Sequence, residues 1–253
     1  MSDDSLVRVS RAEGVLTLQL RRPTKKNALT TGMYSALASA LNAAASDLEI
    51  RVACLSGEGG AFTAGNDLGQ FLDATPAGLQ PVSDFLNALH DFPKPLVAAV
   101  NGLAIGVGTT LLLHCDHVVA TSSAAFRMPF VDLGLMPEAA SSVLVTLFGG
   151  MRFAQKTLLL GLPFTADEAL AAGIVSEVVQ PEQLEARTAE VCKQLALKPV
   201  RALMATKSAL RAPWRALTTA AMASELKGFS ELLASEEARA IMNEILTKRA
   251  PTA

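Results

Sequence analysis

Glu138 closes the stretch Pro129-Phe130-Val131-Asp132-Leu133-Gly134-Leu135-Met136-Pro137-Glu138, in which most side chains are apolar. A carboxylate in such a setting can act as a single general base, because lost solvation lifts its pKa toward neutrality. A plainer part is also open to it. After a proline at the first helical position, a glutamate in the first turn interacts favourably with the helix dipole, which lowers its pKa. On the residues alone, the helix-start reading ranks first.

Two glycine-rich turns could supply the partner to such a base. Gly57-Glu58-Gly59-Gly60-Ala61-Phe62-Thr63-Ala64-Gly65-Asn66-Asp67-Leu68 follows the strand-like Val52–Leu55. Its small residues let a ligand approach the backbone, whose free N–H groups can bind a developing negative charge. Asn101-Gly102-Leu103-Ala104-Ile105-Gly106-Val107-Gly108-Thr109-Thr110-Leu111 follows another strand and opens a helix that runs through Leu113. A helix that starts at a glycine turn points unpaired N–H groups and positive dipole outward. Ordinary turn formation and close helix–strand packing would account for either segment taken singly. Neither carries the G-x-G-x-x-G spacing or the Walker lysine, so nucleotide binding is not indicated. His114-Cys115-Asp116-His117 leaves a helix and enters a strand and has no second ligand cluster, so no metal site is expected and Asp116 reads as fixing the turn. A nucleophilic serine elbow of the G-x-S-x-G type is absent.

The elements that must position these groups alternate. Strand-like runs at Val15–Leu20, Val52–Leu55, Leu96–Val100 and His117–Ala120, with a weaker one at Ile174–Val179, are separated by helical stretches, which argues for an α/β fold. Thr30–Ala45 carries apolar residues at helical spacing, with Thr30 or Thr31 as N-cap. Val82–His90 reads as a helix stopped by Pro93-Lys94-Pro95, and Leu96–Val100 as a strand buried on both faces. Ala74–Gly78 reads as a mobile loop. From Leu197 onward strand patterns cease, and a boundary near Ala196 divides an α/β core, residues 1–196, from a helical region, residues 197–253, that packs on a neighbour or folds back.

With 253 residues, 50% hydrophobic and 18% charged, the chain can bury a large core. A net charge of -2 gives no electrostatic reason for a nucleic-acid or membrane partner, so small-molecule chemistry is the default. The basic cluster Arg21, Arg22, Lys25 and Lys26 is too small for nucleic-acid binding. Pro95–Leu113, the longest apolar run, is broken by Asn101 and several glycines and fits a strand followed by a helix better than a membrane span. Cys54, Cys115 and Cys192 are odd in number and sit in apolar contexts, which suggests reduced core thiols. With no targeting pattern at either end, a cytoplasmic location is expected.

Taken together and in order, Arg22-Pro23, Asn27-Ala28-Leu29, Ala61–Leu68, Asn101-Gly102, Gly106-Val107-Gly108, Cys115-Asp116, Phe126, Ala166–Ala169, Gly173-Ile174-Val175, Lys198-Pro199 and Lys207 resemble the crotonase, or enoyl-CoA hydratase/isomerase, superfamily. The resemblance runs from about residue 6 to residue 250. It implies a spiral of ββα units with a C-terminal helical region that drives assembly into a homotrimer, often a dimer of trimers. It also implies an acyl-CoA thioester as substrate, with no cofactor apart from the coenzyme A that the substrate carries.

By the same resemblance, the backbone N–H groups of Asn66 and Val107 form an oxyanion hole for the thioester carbonyl. Lys25, Lys26 and Ala28 lie near the adenosine and phosphates of CoA, Ala64 and Leu68 offer backbone contacts, and Asp67, Gly106, Phe130 and Leu133 complete the substrate-binding set. Hydratases of the family use two glutamates, at positions held here by Thr110 and Phe130. Pro129-Phe130, Leu133-Gly134, Pro137-Glu138 and Ser141-Ser142 instead resemble the Δ3,Δ2-enoyl-CoA isomerase branch, where one glutamate moves a proton from C2 to C4 and so feeds unsaturated fatty acids into β-oxidation. This reverses the ranking for Glu138 and makes it the expected catalytic base. Two alternatives stay open: a hydratase or other crotonase activity using Asp73 or Asp132, and a non-catalytic acyl-CoA-binding protein.

Overall fold

The computed structural model describes residues 6–72 and 76–249. Ten strands and ten α-helices follow one another among the described residues: β1 (Val7–Ala12), β2 (Val15–Leu20), α1 (Thr31–Ser46), β3 (Val52–Gly57), β4 (Ala61–Thr63), α2 (Leu68–Leu72), α3 (Gln80–Asp91), β5 (Leu96–Val100), β6 (Leu103–Ile105), α4 (Val107–Thr110), β7 (His117–Thr121), β8 (Ala125–Arg127), α5 (Ser141–Ala154), β9 (Phe164–Thr165), α6 (Ala166–Ala171), β10 (Glu177–Val179), α7 (Leu184–Ala196), α8 (Val200–Arg211), α9 (Arg215–Leu233) and α10 (Glu236–Arg249). The alternative acid Asp73 and the first two residues of the expected loop Ala74–Gly78 lie outside the described residues, and the rest of that loop belongs to a 3₁₀ turn, Pro76–Leu79.

The strands divide into two sheets, one of order β1-β2-β3-β5-β7-β10 and one of order β4-β6-β8-β9. All neighbours pair in parallel except the β1–β2 hairpin and the β8–β9 edge. Successive units place one long strand in the large sheet, a short strand in the small sheet, and then helix. This is the ββα spiral implied by the resemblance. Parallel neighbours require such crossovers, and the helices cover the faces that the strands cannot cover themselves.

Successive residues of a strand face opposite sides, and both sides are covered along all of β5 and over Val52–Leu55 of β3, which are buried. Ala53, Leu55, Leu96, Ala98 and Val100 face the main core with Tyr34, Leu37 and Leu41 of α1 and Phe85 and Leu89 of α3. Val52, Cys54, Val97 and Val119 face the other way, against Val191, Cys192 and Ala196 of α7. Thr30 caps α1 by accepting a hydrogen bond from the Met33 N–H at 3.1 Å.

The helices beyond residue 197 fold back on the spiral. The buried Lys207 ammonium of α8 donates to the Lys94 carbonyl at 2.7 Å and to Asp116 at 2.6 Å. Asp116 also accepts from the Leu96 N–H at 2.8 Å, so it ties together the start of β5, the turn before β7 and α8. At the far end, Ala238 and Met242 of α10 are buried, Ala238 lies against Gly134, and Arg239 reaches the Leu72 carbonyl at 2.9 Å.

Candidate active site

The loop ahead of α1 is templated on the first glycine turn. Asn27 is fully buried in a left-handed conformation; its amide donates to the carbonyls of Ala61 at 2.7 Å and Glu58 at 2.9 Å, and its oxygen accepts from the Arg22 N–H. The Ala64 N–H donates to the Lys26 carbonyl, so that donor is spent within the protein. Lys25 and Lys26 project from this loop as exposed side chains, and Ala28 beside them is half-buried with its carbonyl accepting from Arg22 at 3.1 Å. Asp67 is committed to Arg22 at 2.5 Å and to the Gly69 N–H. Partial burial raises its pKa, but the guanidinium and the N–H groups of Gly69 and Gln70 outweigh that effect and hold the carboxyl below its usual range.

Leu29 brackets Asn66 in a parallel bridge: the Leu29 N–H donates to Gly65, and the Asp67 N–H donates to Leu29. The Asn66 N–H therefore points away from Leu29 and has no acceptor among the described residues. Its side-chain oxygen accepts from the buried Tyr34 hydroxyl. Gly65 has φ +84, and a Cβ there would meet the Ile105 carbonyl at 2.7 Å and Gly106 Cα at 4.0 Å. The two glycine turns thus lie side by side. Gly106 has φ 56 and ψ -120, a conformation in effect reserved for glycine, with nothing within 4 Å of where a Cβ would project. It sets the peptide that aims the Val107 N–H, the first of α4. On the far side, Gly108 lets α4 lie on Thr63 of β4, since a Cβ would meet Thr63 Cγ2 at 2.5 Å.

Glu138 is buried. The helix-start reading of Pro137-Glu138 is corrected by the structure: α5 begins at Ser141, and Ala139 and Ala140 take left-handed conformations, with φ 63 and 55. Two consecutive alanines in that region are strained, and three side chains hold them there. Thr110, one turn along α4 from Val107, donates its hydroxyl to Glu138 Oε1. His114, at the end of the 3₁₀ turn that continues α4, donates from Nε2 to the Ala139 carbonyl at 2.8 Å. Glu225 of α9, almost fully buried, accepts from both the N–H and the hydroxyl of Ser142 and so caps α5 from a distance.

Burial pushes the Glu138 carboxyl up to about 8, against a lowering by the Thr110 hydroxyl and a further raising by Glu225. Burial drives His114 down to about 3, so its imidazole is neutral and serves as a donor. Burial also raises Glu225, although the Ser142 hydroxyl and neighbouring N–H groups oppose it, and raises Tyr34, to which Glu138 adds. Glu138 Oε2, Ser141 Oγ and Glu225 Oε2 are buried with no hydrogen-bond partner. Through Thr110, one turn along α4 from Val107, the Glu138 carboxyl is tied to the helix whose first N–H is that of Val107.

Glu138 and Ala139 border a cavity of about 350 Å³ between α3 and α9, whose apolar lining is Leu86, Met222, Ala223 and Leu226. Of the other expected substrate-binding residues, Phe130 is buried in the main core, and Leu133 and Leu68 pack against it half-buried. Asp132, the other alternative acid, is half-exposed and paired with Arg127 at 2.9 Å. Among the described residues, no group of three His, Cys, Asp or Glu side chains could hold a metal ion, and no helix is long and apolar enough to cross a membrane.

Glu225, His114 and Tyr34 were not singled out in the sequence as site residues. Glu225 had a readable signal, since it lies on the buried α9 stripe Thr218, Met222, Glu225, Phe229 and Leu233.

Residues 10–252 match the enoyl-CoA hydratase/isomerase family. The 2,3-dehydroadipyl-CoA hydratase of Escherichia coli (strain K12) is 39% identical over 251 residues, 96% of each chain. Human enoyl-CoA delta isomerase 2 is 36% identical over 211 residues, and the chain spans about half of that longer relative, which is covered to 53%. The crystal structure of an enoyl-CoA hydratase/isomerase from Pseudoalteromonas atlantica T6c superposes with a TM-score of 0.90 at 40% identity, covering 98% of this chain and 99% of the other. The chain belongs to the enoyl-CoA hydratase/isomerase family, whose members act on acyl-CoA thioesters.

Proposed function

We propose that this protein is a Δ3,Δ2-enoyl-CoA isomerase. The thioester oxygen of a 3-enoyl-CoA lies between the N–H groups of Asn66 and Val107, and the Glu138 carboxylate removes a proton from C2. The C2–H electron pair moves into an enolate whose oxygen the two N–H groups stabilise, each donor contributing about 3 kcal/mol. The same carboxyl returns the proton at C4, which leaves the double bond at C2–C3. Protons balance within the substrate, so no cofactor beyond the bound CoA is needed. Lys25 and Lys26, exposed beside the first turn, suit the CoA phosphates.

The observation that carries this reading is Glu138 itself: buried, raised to about 8, with one oxygen held by Thr110 and the other unpaired. Thr110 stands where the hydratases have their first glutamate, and here its hydroxyl orients the base. Glu225 favours a second reading, hydration of a 2-enoyl-CoA, because it is a second buried carboxylate close enough to raise the pKa of Glu138; the similarity to the E. coli hydratase points the same way. Incubation with 3-hexenoyl-CoA and with 2-hexenoyl-CoA separates the two. The isomerase converts the first to 2-hexenoyl-CoA and adds no water to the second, whereas accumulation of 3-hydroxyhexanoyl-CoA from 2-hexenoyl-CoA at a comparable rate would establish the hydratase.

We also infer a homotrimer or a dimer of trimers. Leu147, Phe148, Met151, Leu159, Leu160 and Leu162, on α5 and the turn after it, are exposed large apolar residues close together in the chain, as expected of a subunit contact.

A further inference from the structure

Two of the three cysteines meet on the face of the large sheet turned away from the main core. Cys54 of β3 and Cys192 of α7 share a small apolar cluster with Val52, Val97, Val119 and Val191. The Cα traces of β3 and α7 come within 8 Å of each other, and the Cys54 thiol donates a hydrogen bond to the Cys192 sulfur. Both thiols are free. Two free thiols in contact are close to disulfide geometry, which needs Cα atoms about 4.4–6.8 Å apart.

Packing alone would account for buried thiols, but these two also border open space. A cavity of about 1180 Å³ between the sheet and α7 is lined by both, and it reaches the surface, because Glu13, Glu185 and Lys193 on its wall are exposed. Thr188, one helical turn before Cys192 on the same face of α7, lines it too. Its buried hydroxyl has no hydrogen-bond partner among the described residues, which leaves it free to bind a small polar oxidant. Cys54 is 6% exposed and Cys192 4%, so bulky reagents are kept from the sulfurs. The shared hydrogen bond holds the Cys192 thiol below its usual range although burial opposes it; the same bond, and then burial, push Cys54 well above. Cys192 is therefore the readier thiolate, and Cys54 keeps its proton. Cys115 is the contrast: burial pushes it up to about 12, and it does not line this cavity.

We propose that Cys54 and Cys192 form an oxidisable dithiol, which hydrogen peroxide entering the cavity converts to a disulfide that pins α7 to β3. The Cys192 sulfur takes one oxygen of the peroxide and becomes a sulfenic acid, and the other oxygen leaves as water. The Cys54 sulfur then displaces the sulfenic hydroxyl, which departs with the Cys54 proton as a second water. Two thiols are oxidised to one disulfide while one peroxide is reduced to two waters.

The test treats the folded wild-type protein with hydrogen peroxide at neutral pH, at a dose that fully oxidises free N-acetylcysteine, and then unfolds and alkylates it. Alkylation should mark one thiol where the untreated protein shows three. Before alkylation the intact mass should fall by two hydrogens, peptide mapping should join Cys54 to Cys192, and dithiothreitol should restore all three thiols. The pair should react at least about tenfold faster than Cys115. Cys54→Ser should stop at a sulfenic acid on Cys192, trapped by dimedone, and Cys192→Ser should leave Cys54 unreacted, each variant's fold being checked by circular dichroism. The wild-type result decides the matter even where a variant fails to fold. If Cys54 and Cys192 stay free at that dose, bridge only after unfolding, or react no faster than Cys115, the proposal is overturned.

Discussion

Replacing Glu138 by glutamine should remove activity and at the same time stabilise the protein, and the gain should grow with pH. The carboxyl titrates near 8 in the folded chain against an ordinary value of 4.5. Because the folded state holds this proton more tightly than the unfolded chain, the stability it contributes is complete below about pH 4.5 and is lost as pH rises toward 8. Each pKa unit corresponds to about 1.4 kcal/mol, so the ionisable side chain costs roughly 1 kcal/mol at pH 5 and about 4 kcal/mol at pH 8. Glutamine has nearly the same shape, can still accept from Thr110, and carries no charge to desolvate. Urea unfolding of the wild type and Glu138→Gln at pH 5 and pH 8 reads the difference. The variant should gain about 3 kcal/mol over the wild type between the two pH values, while kcat falls by roughly a thousandfold or more. A difference independent of pH, or a variant less stable than the wild type at pH 8, would refute the assignment of Glu138 as a desolvated base.

Three further outcomes follow from the same site. The rate of a glutamate base rises as it ionises, so kcat/KM should climb toward a midpoint near 8; Thr110→Val should move that midpoint up by removing the lowering hydroxyl, and Glu225→Gln should move it down by removing a neighbouring charge, each read from a pH–rate profile. Gly106→Ala has room for its methyl group but not the backbone conformation, so the protein should fold with an unchanged circular dichroism spectrum while kcat falls about a hundredfold as the Val107 N–H turns away. Met151→Glu with Leu160→Glu should lower the assembled mass to that of the monomer in sedimentation equilibrium, and an unchanged mass would place the subunit contact elsewhere.

What could be read in the sequence depended on how many residues carry each signal. Val15–Leu20 and Leu96–Val100 were readable to the residue, since alternation in one and an unbroken apolar run in the other extend over a whole strand. The strands β4, β6, β8 and β9 have two or three residues each, too few for a period, and they form the small sheet only because the spiral brings them together. β1 is hard to read for another reason: five of its six residues are exposed, as suits an edge strand, so no buried face alternates along it. The run Pro95–Leu113 is a strand followed by helix, as its pattern indicates, with the three-residue β6 between them too short to leave a pattern.

At the site, the two glycine turns were visible by composition, but the turn that carries Glu138 was not. Nothing about alanine announces a left-handed conformation; Ala139 and Ala140 adopt it because His114 and Glu225, distant in sequence, hold the segment on both sides. That also explains the misplaced helix start at Pro137. The cavity beside Glu138 is built by α3 and α9, far from Glu138 in the chain, and no local pattern announces it.

The most direct measurement is proton exchange at the substrate carbon next to the thioester. With 3-hexenoyl-CoA in deuterated water, followed by proton NMR, the wild type should move the double bond to C2–C3 and exchange protons at C2 and C4, and Glu138→Gln should do neither at a measurable rate while still binding the thioester. Exchange and isomerisation that persist in Glu138→Gln, or a wild type that yields 3-hydroxyhexanoyl-CoA in place of the shifted alkene, would contradict Glu138 as the single base of the reaction.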